Sequence, residues 1–247
     1  MSVVEIVLDR PDKLNALSEE MVRSLLAQLD AAEEKGARAV LVRGEGRAFC
    51  SGRDIGDAKA GEDAKQLASA FSPLIRRVAG FPAPTFAAVQ GACLGVGLGL
   101  ALACDVVIAA DDARFGSPFA RLGGVLDSGG HAFFVERLGP HRALELIYTG
   151  RLISGREAAA LGLVNRSVGR SVLLERVRAM ASAVAQGPTA AFASSKRLVR
   201  RIQAEGLDLA EVLDLEAEAQ GAMSQTADYR EGLAAFKEKR TPRFVGK

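Results

Sequence analysis

The sequence predicts an α/β domain with a helical C-terminal part. Short apolar runs alternate with helix-periodic stretches early in the chain, and helical patterns dominate after Ser128. From Val78 to Cys104 no charged residue occurs at all, as a strand and helix buried on every side would require. A chain of 247 residues with 49% hydrophobic content has the material to fill one sizeable core.

Val3 to Leu8 reads as the first strand, and Ser18 is placed to cap a helix running to about Lys35. Ala39 to Arg43 is a short strand rich in valine and leucine, followed by Gly44 and Gly46. Gly61 to Ala79 is polar at first and then helical. The uncharged run divides into a buried strand (Thr85 to Val89), a glycine-rich turn and a buried helix near Leu98 to Ala103. Its length would span a bilayer, but Pro82 and Pro84 break its start and four glycines interrupt its second half. Asp105 to Ala110 is another buried strand. A helix over Ser128 to Leu138 follows, with a last strand at Leu163 to Val168. Helices near Leu207 to Met223 and Tyr229 to Lys239 read as an appended element suited to packing on a neighbouring subunit. The expected division is a core over residues 1–190 and a helical region over 191–247.

Charge and composition narrow the function. Lys+Arg 32 against Asp+Glu 30 leaves +2, which offers no broad basic surface for nucleic acid or an anionic membrane. The N-terminus, MSVVEIVLDRP, lacks a basic leader followed by an apolar stretch. Cys50, Cys93 and Cys104 are odd in number and lack CxxC spacing, as expected for reduced thiols in the cytoplasm. Two histidines, His131 and His141, argue against a histidine-rich metal site or a His-centred network. The segment Gly95-Val96-Gly97-Leu98-Gly99 invites a dinucleotide reading, but residue 100 is leucine and GxGxxG is not met. GxxxxGK[ST], HExxH and GxSxG are absent.

Two glycine-bearing turns stand out, each after a strand. One is Arg47-Ala48-Phe49-Cys50-Ser51-Gly52-Arg53-Asp54-Ile55; the other, Gly91-Ala92-Cys93-Leu94-Gly95-Val96-Gly97, opens a helix. A helix start offers main-chain N–H groups without intrahelical partners, suited to an oxyanion. Two converging N–H groups would form an oxyanion hole, each donor worth about 2.7–4 kcal/mol in a transition state. Taken singly, such turns are more often packing devices.

Their combination resembles the crotonase superfamily, the enoyl-CoA hydratases and isomerases. The matching pieces are LDRPDKLNAL (8–17), GRAFCSGRDI (46–55), PTFAAVQGACLGVGLGLALACDVVIAA (84–110), ARFGSP (113–118), YTGRLISGREAAALGLVNRSV (148–168) and EGLAAFKEKRTPRF (231–244). They fall in order over nearly the whole chain. The resemblance implies a crotonase (ClpP/crotonase-like) spiral of ββα units with a helical C-terminal trimerisation region. It implies an acyl-CoA thioester as substrate, no separate cofactor, and self-association as a homotrimer or dimer of trimers. By position the oxyanion donors are the main-chain N–H groups of Arg53 and Val96. Leu14, Ser51, Gly52, Asp54, Ile55 and Gly56, with Phe236 and Lys239 near the end, match positions lining the CoA site. For Asp54 a turn or cap role competes, and for Lys239 an exposed helix lysine competes with a phosphate contact.

The departures matter as much. Hydratases of this family place one glutamate on the helix after the glycine turn and another after the FGxP motif; here those positions are Gly99 and Phe119. Hydration needs groups to activate water and to deliver a proton, and such help is worth about 10²–10⁴-fold. Asp127, in Gly123-Gly124-Val125-Leu126-Asp127-Ser128-Gly129-Gly130, matches the aspartate acid/base of the superfamily's isomerases. The segment is most similar to the ring-epoxide isomerases of phenylacetyl-CoA degradation. The competing role for Asp127 is a cap on the helix Ser128 to Leu138; His131, four residues on, reads first as a surface residue. The expected protein is an acyl-CoA isomerase. An enoyl-CoA hydratase is the alternative, and a non-catalytic or RNA-binding relative is a second. Phe71, Phe119, Phe133 and Phe134 are candidates for the acyl pocket.

Overall fold

The computed structural model describes residues 3–54 and 63–247. Five parallel strands form its central sheet: β1 (Val3–Leu8), β2 (Ala39–Gly44), β3 (Thr85–Val89), β5 (Val106–Ala110) and β8 (Arg166–Val168), in the order β1-β2-β3-β5-β8. The register runs from Val3 against Ala39 to Leu8 against Gly44, and continues with Val40 against Thr85 and Phe86 against Val106. All five residues of β3 are buried, which is why this strand reads as an unbroken apolar run.

Helices make the crossovers. Between β1 and β2 lies α1 (Glu19–Glu34), whose N-cap Ser18 accepts a hydrogen bond from the Met21 N–H. Its Leu25, Leu29 and Ala32 point into the core. Before β3, α2 (Asp63–Gln66), a π-helical turn (Leu67–Phe71) and α3 (Ser72–Ala79) follow one another. The helix of the uncharged run, α4 (Val96–Ala103), begins two residues earlier than the sequence predicts, directly after Gly95. Every one of its residues is buried, so a uniformly apolar helix here is a core helix. Among the described residues no helix is long and apolar enough to cross a membrane.

A second sheet, which the sequence did not disclose, is built from β4 (Ala92–Leu94), β6 (Arg114–Gly116) and β7 (Ile153–Ser154). Its strands are two or three residues long, too short for alternation to register. The remaining helices are α5 (Gly130–Leu138), α6 (Pro140–Thr149), α7 (Gly155–Ala160), α8 (Arg170–Ala185), α9 (Thr189–Glu205), α10 (Leu209–Ser224) and α11 (Ala227–Glu238). α8 packs across β1, β2, β3 and β5. A capping box between Asp208 and Glu211 starts α10. The C-terminal tail returns to the start of β2, where Arg38 donates to the carbonyls of Phe244 and Gly187. Buried Asp228 accepts from the N–H groups of Val245 and Gly246.

Candidate active site

The short sheet brings the two glycine turns together. Cys50 pairs as a parallel bridge with Cys93, and Cys93 pairs with Phe115 in β6. The Cys50 N–H donates to the Ala92 carbonyl at 2.9 Å, and the Leu94 N–H donates back to the Cys50 carbonyl at 3.0 Å. Three chain segments therefore run side by side at a strand spacing of about 4.8 Å. Three residues beyond each paired position lie Arg53, Val96 and Pro118.

Glycines are required where the turns meet. Gly95 has φ 51° and ψ −122°, a conformation closed to residues with a Cβ, and Gly52 has φ 109°. A Cβ on Gly52 would lie 3.2 Å from the Leu94 carbonyl oxygen, and one on Gly95 would lie 3.9 Å from Gly52 Cα. The residues just before the two predicted donors are thus in contact. Val96 opens α4, and the first i to i−4 bond of that helix runs from the Gly99 N–H to the Gly95 carbonyl at 3.1 Å. The N–H groups of Val96, Gly97 and Leu98 precede that ladder and carry the positive end of the helix.

The first turn is tied to the LDRPDKLNAL segment. The Leu17 N–H donates to the Gly52 carbonyl at 2.8 Å, and the Asp54 N–H donates to the Leu17 carbonyl at 2.9 Å. Leu14, in the left-handed region with φ 51°, accepts from the Ser51 N–H at 3.0 Å. The Ser51 hydroxyl meets the Lys13 carbonyl at 3.4 Å. Two further residues, Arg10 and Asn15, hold this segment in place. Arg10 donates to the Ala16 carbonyl and to Asp54 Oδ2, each at 2.9 Å. Asn15, fully buried, donates from Nδ2 to the carbonyls of Glu45 and Ala48. Leu14, Ser51, Gly52, Arg53 and Asp54 therefore form one connected rim; Ile55 and Gly56 lie outside the described residues.

No hydrogen bond or ion pair among the described contacts joins Phe236 or Lys239 to this rim. Phe236 is 85% exposed, and Lys239 ends α11 in a left-handed conformation. The tail that follows their helix packs near Arg38, before β2, whereas the glycine turns follow β2. A cavity of about 240 Å³ lies beside α11, lined by Met223, Tyr229, Leu233 and Phe244.

Asp127 stands in the loop that closes over α4. The helix after it starts later than predicted: its N-cap is Gly129, left-handed at φ 80°. The Asp127 main-chain carbonyl accepts from the Gly130 N–H at 2.8 Å. The N-cap position is thus held by Gly129. Because Asp127 precedes the helix, it shares no helical face with His131, which is exposed. One carboxylate oxygen of Asp127, Oδ1, is buried.

The neighbouring Ser128 is buried and left-handed, φ 53°. A Cβ on Gly99 would come within 2.8 Å of Ser128 Cβ and closer still to the Ser128 carbonyl oxygen. The space into which a side chain at position 99 would project is filled by this loop. The ring of Phe119, on the 3-10 turn Pro118–Leu122, lies 3.3 Å from where a Cβ on Gly124 would sit, and the Phe133 ring flanks Gly129 at 3.0 Å by the same measure. Phe71 and Phe134 are buried in the core. Among the described residues no group of histidine, cysteine and carboxylate side chains could hold a metal ion. Burial pushes the thiols of Cys50 and Cys104 up to about 12, so both stay protonated.

A family model described as enoyl-CoA hydratase/isomerase matches residues 1–247. The chain belongs to this family. A protein of Rhodobacter capsulatus named "Probable enoyl-CoA hydratase" is 42% identical over 98% of this chain and 94% of its own length. The 1,2-epoxyphenylacetyl-CoA isomerase of Escherichia coli is 34% identical over 99% of this chain and 95% of its own. The crystal structure of an enoyl-CoA hydratase from Bacillus anthracis superposes with TM-score 0.93 at 35% identity, covering 99% of this chain and 96% of that one. The enoyl-CoA hydratase/isomerase family carries the crotonase fold, and the central sheet, the short second sheet and the late helices are this chain's version of it.

Proposed function

We propose that this family member is an acyl-CoA isomerase that shifts a double bond, or rearranges a ring epoxide, through a thioester enolate. The thioester oxygen sits between the N–H groups of Arg53 and Val96. The Asp127 carboxylate removes a proton from C2 of a 3-enoyl thioester. The C2–H electron pair spreads over the dienolate, whose oxygen carries the charge at the two N–H groups. Asp127 then returns the same proton at C4, leaving the double bond between C2 and C3. The carboxylate ends as it began, so no cofactor beyond the coenzyme A of the substrate is consumed.

The observation that carries this reading is the contact between Gly99 and Ser128. A glutamate at position 99 has no room, because a main-chain carbonyl stands where its Cβ would be. Phe119 occupies the other glutamate position, while Asp127 lies beside the helix that bears Val96. The name of the 42% identical relative favours a hydratase, and that is the alternative. A non-catalytic role is disfavoured by the paired glycine turns. Phe236, exposed on its own chain, and Lys239 fit a role on a neighbouring copy in a trimer or dimer of trimers. Three free, buried thiols suit a reducing compartment such as the cytoplasm.

The test is substrate choice by the purified protein. Incubation with 3-enoyl-CoA is expected to give 2-enoyl-CoA rapidly, with slow or no hydration when 2-enoyl-CoA is supplied. Robust hydration of 2-enoyl-CoA without 3-to-2 conversion would establish the hydratase instead.

A further inference from the structure

We propose that Arg10 is a positioning residue whose guanidinium orients and polarises the Arg53 N–H through two intervening peptide groups. This rests on the acyl-CoA reading above, in which that N–H meets the thioester oxygen. Arg10 spans two chain segments with one fork. Nη1 donates to the Ala16 carbonyl and Nη2 to Asp54 Oδ2, each at 2.9 Å. Fully buried Asn15 fixes the base of this side chain. Asn15 Oδ1 accepts from the Arg10 N–H at 2.8 Å, and the Asn15 N–H donates to the Arg10 carbonyl at 2.9 Å. A guanidinium keeps its charge at any working pH, so the cation at this point is permanent.

Peptide planarity carries the effect onward. Among the described residues every peptide bond is trans, so the C=O and N–H of one peptide unit point in opposite directions. The Ala16 carbonyl faces Arg10. Across the same plane the Leu17 N–H faces the other way and donates to the Gly52 carbonyl at 2.8 Å. The Gly52 carbonyl faces Leu17, so the Arg53 N–H across its plane points away from that segment. The plane on the far side of Arg53 is pinned as well. There the Asp54 N–H donates to the Leu17 carbonyl at 2.9 Å, while the Asp54 carboxylate grips Arg10. From Arg10 through peptides 16–17 and 52–53 every bond runs donor to acceptor in one direction. Such a chain strengthens its last donor, by about 10–30% per bond. Val96 has α4 behind its N–H. Arg53 has this relay, which ends on a fixed cation.

Difference infrared spectroscopy of the full-length protein with hexanoyl-CoA, carbon-13 labelled at C1, reads the thioester carbonyl without turnover. In the wild type its stretch is expected to fall below that of the free thioester in water. Arg10→Met and Arg10→Gln remove the charge and should move the stretch back toward the free value. The same variants should lower kcat for 3-enoyl-CoA about ten-fold and leave KM within about two-fold. Arg10→Lys keeps the charge and should recover most of both effects. The glutamine variant serves if the methionine variant does not fold. A stretch unchanged in the neutral variants, or a lysine variant no better than glutamine, overturns the role of Arg10 alone. A wild-type carbonyl at the free value overturns it together with the oxyanion hole. Failure to bind hexanoyl-CoA overturns it together with the acyl-CoA reading.

Discussion

Introducing a side chain at Gly99 is the sharpest perturbation the structure offers. A Cβ there would stand 2.8 Å from Ser128 Cβ and 3.1 Å from the Ser128 carbonyl carbon, with the carbonyl oxygen nearer still. Nothing at the contact is the loose end of a flexible side chain, so the loop 123–129 or the helix must move. Overpacking against fixed backbone costs up to about 3 kcal/mol. Replacing a helical glycine by alanine returns about 1 kcal/mol of propensity. Gly99→Ala should therefore lose about 2 kcal/mol, and for a chain of this size Tm should fall by about 4–8 °C in a thermal melt followed by circular dichroism. Because the moving loop carries Asp127, 3-enoyl isomerisation should fall with it. Gly99→Glu, which restores the residue expected of a hydratase, should lose more stability and gain no hydratase activity. A Gly99→Ala protein as stable as wild type, or a Gly99→Glu protein that hydrates 2-enoyl-CoA, would refute the claim that the loop fills the glutamate's place.

Other substitutions separate the remaining parts. Val96→Pro removes one N–H at the first position of α4, where proline fits a helix, and should lower kcat about 10²–10³-fold with little change in Tm; an unchanged kcat would remove Val96 from the oxyanion hole. Cys50, Cys93 and Cys104 are all buried, so a thiol reagent at pH 8 should label none in the folded protein and three after unfolding; fast labelling of the native state would contradict their placement. Hydrogen bonding from Arg178, with help from Arg43 and against the cost of burial, holds the Glu5 carboxyl at about 2. A depressed folded pKa stabilises above the unfolded value of 4.5, and that contribution disappears as pH falls toward 2. Urea unfolding should accordingly show Glu5→Gln less stable than wild type at pH 7, with the gap closing between about pH 4.5 and pH 2.

The sequence carried most of the long elements. β1, β3 and α1 lie where apolar patterning and the Ser18 cap put them, because each is at least five residues long and bounded by turn chemistry. The short sheet was illegible: β4 was absorbed into a glycine turn, yet its pairing with Cys50 and Phe115 brings the two turns together. The start of α5 was misplaced because an aspartate before a helix pattern resembles a cap, whereas a left-handed Gly129 caps it. The closeness of Ser128 to Gly99 could not be read at all, since a long-range contact to a glycine leaves no local pattern. Arg10 and Asn15 were present in a recognised motif, but only the fold shows that they tie it to the rim beside Asp54.

The central claim is that a single carboxylate, Asp127, moves the proton. Its most direct test is the rate of 3-enoyl-CoA to 2-enoyl-CoA conversion by wild type and Asp127→Asn at matched Tm. The account predicts a loss of about 10²–10⁴-fold in the variant with thioester binding retained. Conversion that persists at the wild-type rate in Asp127→Asn would contradict it.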